Sequence, residues 1–320
     1  MGIRGLGRLR IGAAVIGMVA LLAVPTAGAT AAADPRETGL HRETKANAWK
    51  ALELESFAYA ANRAFAVQAH AEDLRRIRDL YDRGALIERR HFAELAALIE
   101  LVKDNATNLR HAIQGAESTA RMYRRFAAEA KKDGELAAAR LFHDLALDEA
   151  DNRDRFREAL QAITKPGSGA RIPADVSVKK TIIKAGPPKV RTARTLRNLR
   201  TAMEREALAF LTDVLFAEHA KATGRPTLAK LFGSVALVEL TEHFAKEAIL
   251  AGLVKKTRTN VCTTIKGENY ESTTLYPRFA RQADRAGDYV AAELFLSIAD
   301  DDGRQARSLA KALAEIGGGC

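Results

Sequence analysis

The sequence predicts an all-α fold built from four helical hairpins, and three observations carry this expectation. From Thr44 onward apolar residues recur at spacings of three and four with abundant alanine, the period of helices buried along one face. Proline is nearly absent outside residues 165–190 and a few turns. The third observation is an internal repeat. Asn47, Asn108, Asn198 and Asn260 are each followed eight residues later by Glu55, Ala116, Glu206 and Glu268. A second acid then stands at a matching distance: Glu88, Glu149 and Glu239 lie 33 residues beyond, and Asp302 lies 34 beyond. Each repeat therefore reads as a helix, a turn and a second helix.

The chain opens with Arg4, Arg8 and Arg10, an apolar run from Ile11 to Val24, and a small-residue stretch ending Ala31-Ala32-Ala33 before Asp34. That is the pattern of an export signal, and the run is too short to span a bilayer. The mature protein is expected to be exported, periplasmic or secreted, with no membrane association after cleavage; an uncleaved anchor is the alternative. Domain boundaries follow: a signal peptide at 1–33, a helical unit at 44–163, a basic linker containing Pro and Gly at 164–194, and a second helical unit at 195–316. The chain carries a net charge of +10. Between Arg171 and Arg200 nine Lys or Arg meet only Asp175, without aromatic residues on which bases could stack, so a solvated linker is expected there and no nucleic acid. A short strand near Val176–Ile183 is compatible with that segment. Cys262 and Cys320 are the two cysteines, with no Cys-x-x-Cys, which excludes a zinc ribbon or an iron-cysteine centre. No phosphate loop, serine elbow or dinucleotide fingerprint is present.

The acids carry the chemistry. Glu268 and Glu271 are three residues apart, hence on one helix face, and that face continues through Leu275 toward Phe279. Two carboxylates aimed at a core need a proton or a cation between them. His91 follows Glu88 by three, giving Glu-x-x-His on one face; Asn152, Glu242 and Gln305 hold that place in the other repeats, and His243 sits one residue beyond Glu242. Tyr276, eight residues after Glu268, is a candidate to hydrogen-bond a ligand carboxylate. His41, His70, His111, His143 and His219 fall off these faces and are expected at the surface or in packing, and Trp49 in the core.

Hairpins contributing Glu from one helix and Glu-x-x-His from the next resemble ferritin-like di-iron carboxylate proteins. More specifically, Gly267-Glu268-Asn269-Tyr270-Glu271 with Leu275-Tyr276-Pro277-Arg278-Phe279-Ala280, and Glu117-Ser118-Thr119-Ala120-Arg121 through Lys131-Lys132-Asp133-Gly134, are similar to rubrerythrins. The resemblance covers about residues 44–163 and 195–316. It implies two ferritin-like four-helix bundles in one chain and a di-iron centre, with manganese as the other metal such oxygen-rich sites accept. It further implies reduction of hydrogen peroxide, or reaction with dioxygen, using electrons from an external donor, and it leaves room for a homo-oligomer. The competing reading is a non-catalytic iron-binding protein or a metal-free scaffold. The chain departs from the family in having no rubredoxin-type domain and two copies of the unit rather than one; Gln305 in place of a second histidine and Ala116 in place of a carboxylate are the departures that favour the competing reading.

Loop length bears on which hairpins pair. Parallel second and third helices of about 28 residues, roughly 40 Å long, need a connection of about 12 extended residues. Only the 165–194 linker is long enough, so hairpin two is expected to join hairpin three, and hairpin one to close on hairpin four. Sequential pairing in an up-and-down bundle is the rival. The exchange would group Glu55, Glu88, His91, Glu268, Glu271 and Asp302 as one metal site. It leaves a degraded second site of Glu149, Glu206, Glu239 and Glu242 or His243, which is expected to bind metal poorly because it contains Ala116 and Asn152.

Overall fold

The computed structural model describes residues 39–165 and 167–320; the export signal expected at 1–33 lies outside them. Hairpin one is α1 (Arg42–Ala71) and α2 (Arg75–Leu98), and hairpin two is α3 (Asn105–Lys132) and α4 (Leu136–Thr164). Hairpin three is α5 (Ala193–Ala222) and a rod made of α6 (Pro226–Val238), a π-helical turn (Glu239–Phe244) and α7 (Ala245–Ala251). Hairpin four is a second interrupted rod, α8 (Thr257–Tyr270), a π turn (Glu271–Leu275) and α9 (Tyr276–Ala286), followed by α10 (Tyr289–Glu315). Among the described residues there is no strand; 176–183 is extended but pairs with no other strand.

Each hairpin reverses through one residue with positive φ: Asp73, Gly134, Gly224 and Gly287. The next amide then closes a six-residue loop onto the last helical turn, as Glu135 N does to Ala130 O (2.9 Å) and Arg225 N to Ala220 O (2.8 Å). The repeated asparagines have a structural role where a short loop precedes them. Asn108 Oδ1 accepts from Lys103 N (2.8 Å) while its Nδ2 donates to Lys103 O (2.9 Å). Asn260 does the same with Lys255, at 2.9 and 2.8 Å.

Hairpin one packs against hairpin four, and hairpin two against hairpin three. The two sequence units at 44–163 and 195–316 therefore do not coincide with the two bundles. Tyr276, Phe279 and Phe295 form an aromatic group with Leu52, Phe92 and Leu95 in the first bundle. Phe156, Phe216 and Phe232 do so in the second. The bundles meet along α1 and α5, where Tyr59 stacks on Phe210 (5.4 Å between ring centres) and Arg89 pairs with Glu218.

The basic linker, expected to be solvated, is strapped to the α6–α7 rod instead. Val176 N donates to Ser234 Oγ (2.9 Å), Thr181 N to Thr241 O (2.9 Å) and Lys189 N to Leu250 O (2.8 Å). Thr241 lies in the π turn, so the linker takes up a carbonyl that the widened helix releases. Where the linker crosses the rod's end, a Cβ on Gly252 (φ +59°) would lie 2.4 Å from Pro188 N, so only glycine fits. The second π turn precedes Pro277, which has no N–H to offer the carbonyl four residues back.

A disulfide that the sequence did not announce joins Cys262 on α8 to the terminal Cys320, with Cα atoms 5.4 Å apart. No described helix is long and apolar enough to cross a membrane.

Candidate metal centre

Six ligand-type side chains converge in the first bundle as two facing groups. Glu55, Glu88 and His91 come from hairpin one, and Glu268, Glu271 and Asp302 from hairpin four; within each group one potential ligand atom per residue lies within 4.8 Å of the others. All are buried except Glu271, which is partly exposed at the edge. Gln305 ties the groups together, its Nε2 donating to Glu88 Oε1 (2.9 Å) and Glu268 Oε1 (2.6 Å). Glu88 and Glu268 therefore share one cluster. Asn62 Nδ2 also donates to Glu88 Oε1 at 3.3 Å.

His91 points Nδ1 at Glu55 Oε2 (3.0 Å) and Glu88 Oε2 (3.9 Å), while Nε2 lies 3.3 Å from Asp301 Oδ2. An outer carboxylate that accepts from Nε2–H fixes the tautomer and turns Nδ1 inward as a ligand. Asp301 is itself held by Arg90 and Arg304. Tyr276 donates its hydroxyl to Glu55 Oε1.

The electrostatics describe a site built for cations. Burial, then the nearby Glu268 and Glu55, push the Glu88 carboxyl well above its ordinary value. Burial does the same to Glu268, with Glu271 adding to it, and to Asp302, with Glu55 and Glu268 adding to it. Burial and Glu55 bring Glu271 to about 8. Burial opposes ionisation of both Glu55 and His91, yet their mutual contact wins: the carboxyl sits below its ordinary value and the imidazole above. Of five clustered carboxyls, four are thus held toward the protonated form, and two divalent ions in place of those protons would balance the group fully ionised. Glu268 Oε2, Asp302 Oδ2 and Gln305 Oε1 are buried with no hydrogen-bond partner, as free ligand atoms would be. The donor set, oxygens with one imidazole, suits iron or manganese.

The comparisons agree with this geometry. The family model described as Rubrerythrin matches residues 107–241 and 217–313, which together span more than half of the chain. The chain belongs to the rubrerythrin family. Among curated relatives it is 30% identical over 120 residues to nigerythrin and 31% identical over 120 residues to rubrerythrin, both of Nitratidesulfovibrio vulgaris. Each alignment takes in 33% of this chain, against 59% of nigerythrin and 62% of rubrerythrin, so the chain spans about three fifths of those relatives. No solved structure matches. The first-bundle cluster offers carboxylates and one histidine, a donor set of the kind a di-iron centre takes, with Gln305 at the place in the repeat where a second histidine would stand.

The other rubrerythrin match, residues 107–241, covers the second bundle from α3 through α6. There Glu149, Glu206 and His243 offer ligand atoms within 4.8 Å of one another, with Glu239 beside them. Glu242, named as an alternative to His243, does not join: its Oε1 accepts from Lys179 N of the linker (2.6 Å) and its Oε2 lies 3.4 Å from Lys246 Nζ. The cause is the π turn at Glu239–Phe244, whose extra residue carries His243 to the position that His91 holds in the regular helix α2. The second π turn likewise accounts for the spacing of 34 rather than 33 in the fourth repeat. His243 Nδ1 lies 3.2 Å from Glu206 Oε2 and Nε2 lies 3.4 Å from Asp148 Oδ2, so Asp148 stands to His243 as Asp301 does to His91.

Sequence reasoning missed Asp213, Glu247 and Tyr123, all buried at this second cluster. Tyr123 Oη is 2.5 Å from Glu206 Oε1 and 2.7 Å from Glu247 Oε1. The one hydroxyl hydrogen is donated toward these two carboxyl oxygens. Burial and Glu206 push Glu247 well above its ordinary value. Trp49, expected in the core, and His111 line a cavity of about 220 Å³ that reaches this cluster past Ala116 and Thr119. Glu117 faces outward to Arg121.

Proposed function

We propose that the protein is an exported di-iron peroxidase that reduces hydrogen peroxide to two waters with electrons from an external donor. The observation that carries this reading is the first-bundle cluster: two facing ligand groups, closed by Tyr276 and Gln305, with a single partly exposed carboxylate at the edge. Iron bound there would supply the two electrons that cleave the O–O bond, and two protons complete the balance. Glu271, at the start of a π turn and partly open to solvent, is the group placed to pass protons between solvent and the cluster. Tyr276 holds Glu55 in place, and Asp301 holds the His91 ring.

The expected experiment uses the full chain loaded anaerobically with ferrous ion. Stoichiometric peroxide should oxidise two irons per peroxide with water as product, and Glu271→Ala should slow the step. Iron that is bound but unreactive toward peroxide would leave the second reading, an iron-binding protein without turnover, which Gln305 at the second histidine position favours. A chain that refuses iron would leave a metal-free scaffold.

Export is supported by the residues before Asp34 and by the Cys262–Cys320 disulfide, since such bonds persist in oxidising compartments. A mature chain beginning at Asp34 in the exported fraction is the expected result; an intact Met1 there would count against cleavage.

A further inference from the structure

We propose that the second bundle holds one divalent transition-metal ion of its own, ligated by Glu149, Glu206, Glu239 and His243, with an open side facing the cavity beside Ala116 and Thr119. Superposing the repeats shows how it differs from the first cluster. Ala116 and Thr119 stand where Glu268 and Glu271 stand, which removes the two ligands that a second metal position would need. Two acids appear in compensation. Asp213 occupies the register of Asn62, seven residues past Glu206 as Asn62 is past Glu55. Glu247, once the residue added by the π turn is discounted, occupies the register of Leu95. Each cluster thus keeps five carboxylates and one histidine. A remnant losing its metal would be relieved of buried acids, because each uncompensated one destabilises the fold. Here the acids have been moved rather than lost.

Two independent observations point to a ligand. Glu239, 4% exposed, has Oε2 without any partner and lines the cavity. The cavity itself, about 220 Å³, has Asp213 and Arg205 on its walls, and Arg205 forms no ion pair among the described residues. One imidazole and three carboxylates suit Fe²⁺, Mn²⁺, Co²⁺ or Zn²⁺, and the missing carboxylates leave coordination positions for water or a small anion near Arg205. Tyr123 and Glu247 lie behind Glu206 and hold it, as Asp148 lies behind His243.

This inference does not rest on the peroxidase reading, and its test separates the two. The full chain is stripped of metal and dialysed against Co²⁺, with metal counted per chain, the visible spectrum recorded, and azide added as a small-anion probe. Circular dichroism confirms that each variant is folded. The unmodified chain should bind three Co²⁺, and azide should shift the spectrum. Glu268→Ala with Glu271→Ala should leave one azide-responsive Co²⁺, whereas Glu149→Ala with His243→Ala should leave two and lose the part of the azide shift that the Glu268/Glu271 variant retains. Ala116→Leu added to the Glu268/Glu271 variant, which fills the cavity without replacing a ligand, should keep the one ion and lose its azide shift. A chain binding one Co²⁺ that only the Glu149/His243 variant loses would sink the di-iron reading and uphold this one. Two Co²⁺ in both the unmodified chain and that variant, or none in the Glu268/Glu271 variant, would overturn it.

Discussion

Replacing Glu271 by glutamine in the metal-free chain should flatten the dependence of stability on pH. Burial and the neighbouring Glu55 raise Glu271 from an ordinary 4.5 to about 8. The folded state therefore binds this proton more tightly than the unfolded chain does. Folding carries no penalty from it below 4.5, and the penalty grows as pH rises toward 8, because the unfolded carboxyl ionises and the folded one does not. A shift of 3.5 units at 1.36 kcal/mol per unit amounts to about 5 kcal/mol across that window. Glu149, raised to about 7 chiefly by burial, acts in the same direction in the other bundle. Glutamine fills the same volume and does not titrate. Urea unfolding in chelator at pH 5, 6.5 and 8 should show the unmodified protein losing stability as pH rises, with the variant losing about 5 kcal/mol less at most. Parallel curves, or a protein that gains stability toward pH 8, would refute the reasoning.

Asp301→Ala should weaken metal binding in the first bundle by about 10- to 100-fold, because the His91 ring loses the acceptor that orients it; calorimetric titration of the stripped chain reads this, and an unchanged affinity would remove Asp301 from the site. Phe295→Ala empties a fully buried position between Tyr276 and Phe279 and should cost about 3–5 kcal/mol in chemical unfolding. Cys262→Ser opens a loop of 58 residues and should cost about 4 kcal/mol by chain entropy, with reductant reproducing the loss in the unmodified protein but not in the variant.

The helical fold was legible because both of its signals are local: apolar spacing along each helix, and the scarcity of proline within them, Pro226 and Pro277 standing at first turns. The acids of the first bundle were legible for a related reason, since a ligand cluster needs carboxylates on helix faces at fixed registers and repetition exposes the register. The π turns were only half legible. Pro277 and the spacing of 34 marked the second, but nothing in Glu239–Phe244 marks the first, and so Glu242 and His243 could not be told apart. Asp213 and Glu247 were hidden for the same reason. Each breaks an apolar stripe singly, and Glu247 aligns with Leu95 only after the added residue is removed. The disulfide depends on where the tail after α10 returns, which is set by packing and not by any spacing between Cys262 and Cys320.

The order of the hairpins also has a bearing on how the molecule comes into being. The second bundle is one unbroken span of chain, α3 through α7, set inside a first bundle whose two halves are the beginning and the end. During synthesis the inner bundle can close while hairpin one waits with Glu55, Glu88 and His91 unmatched. The outer centre must await α8 to α10, and the bond from Cys262 to Cys320 can form only after them. Loss of α10 would thus take Asp302 and Gln305 from the outer cluster while leaving every acid of the inner one in place.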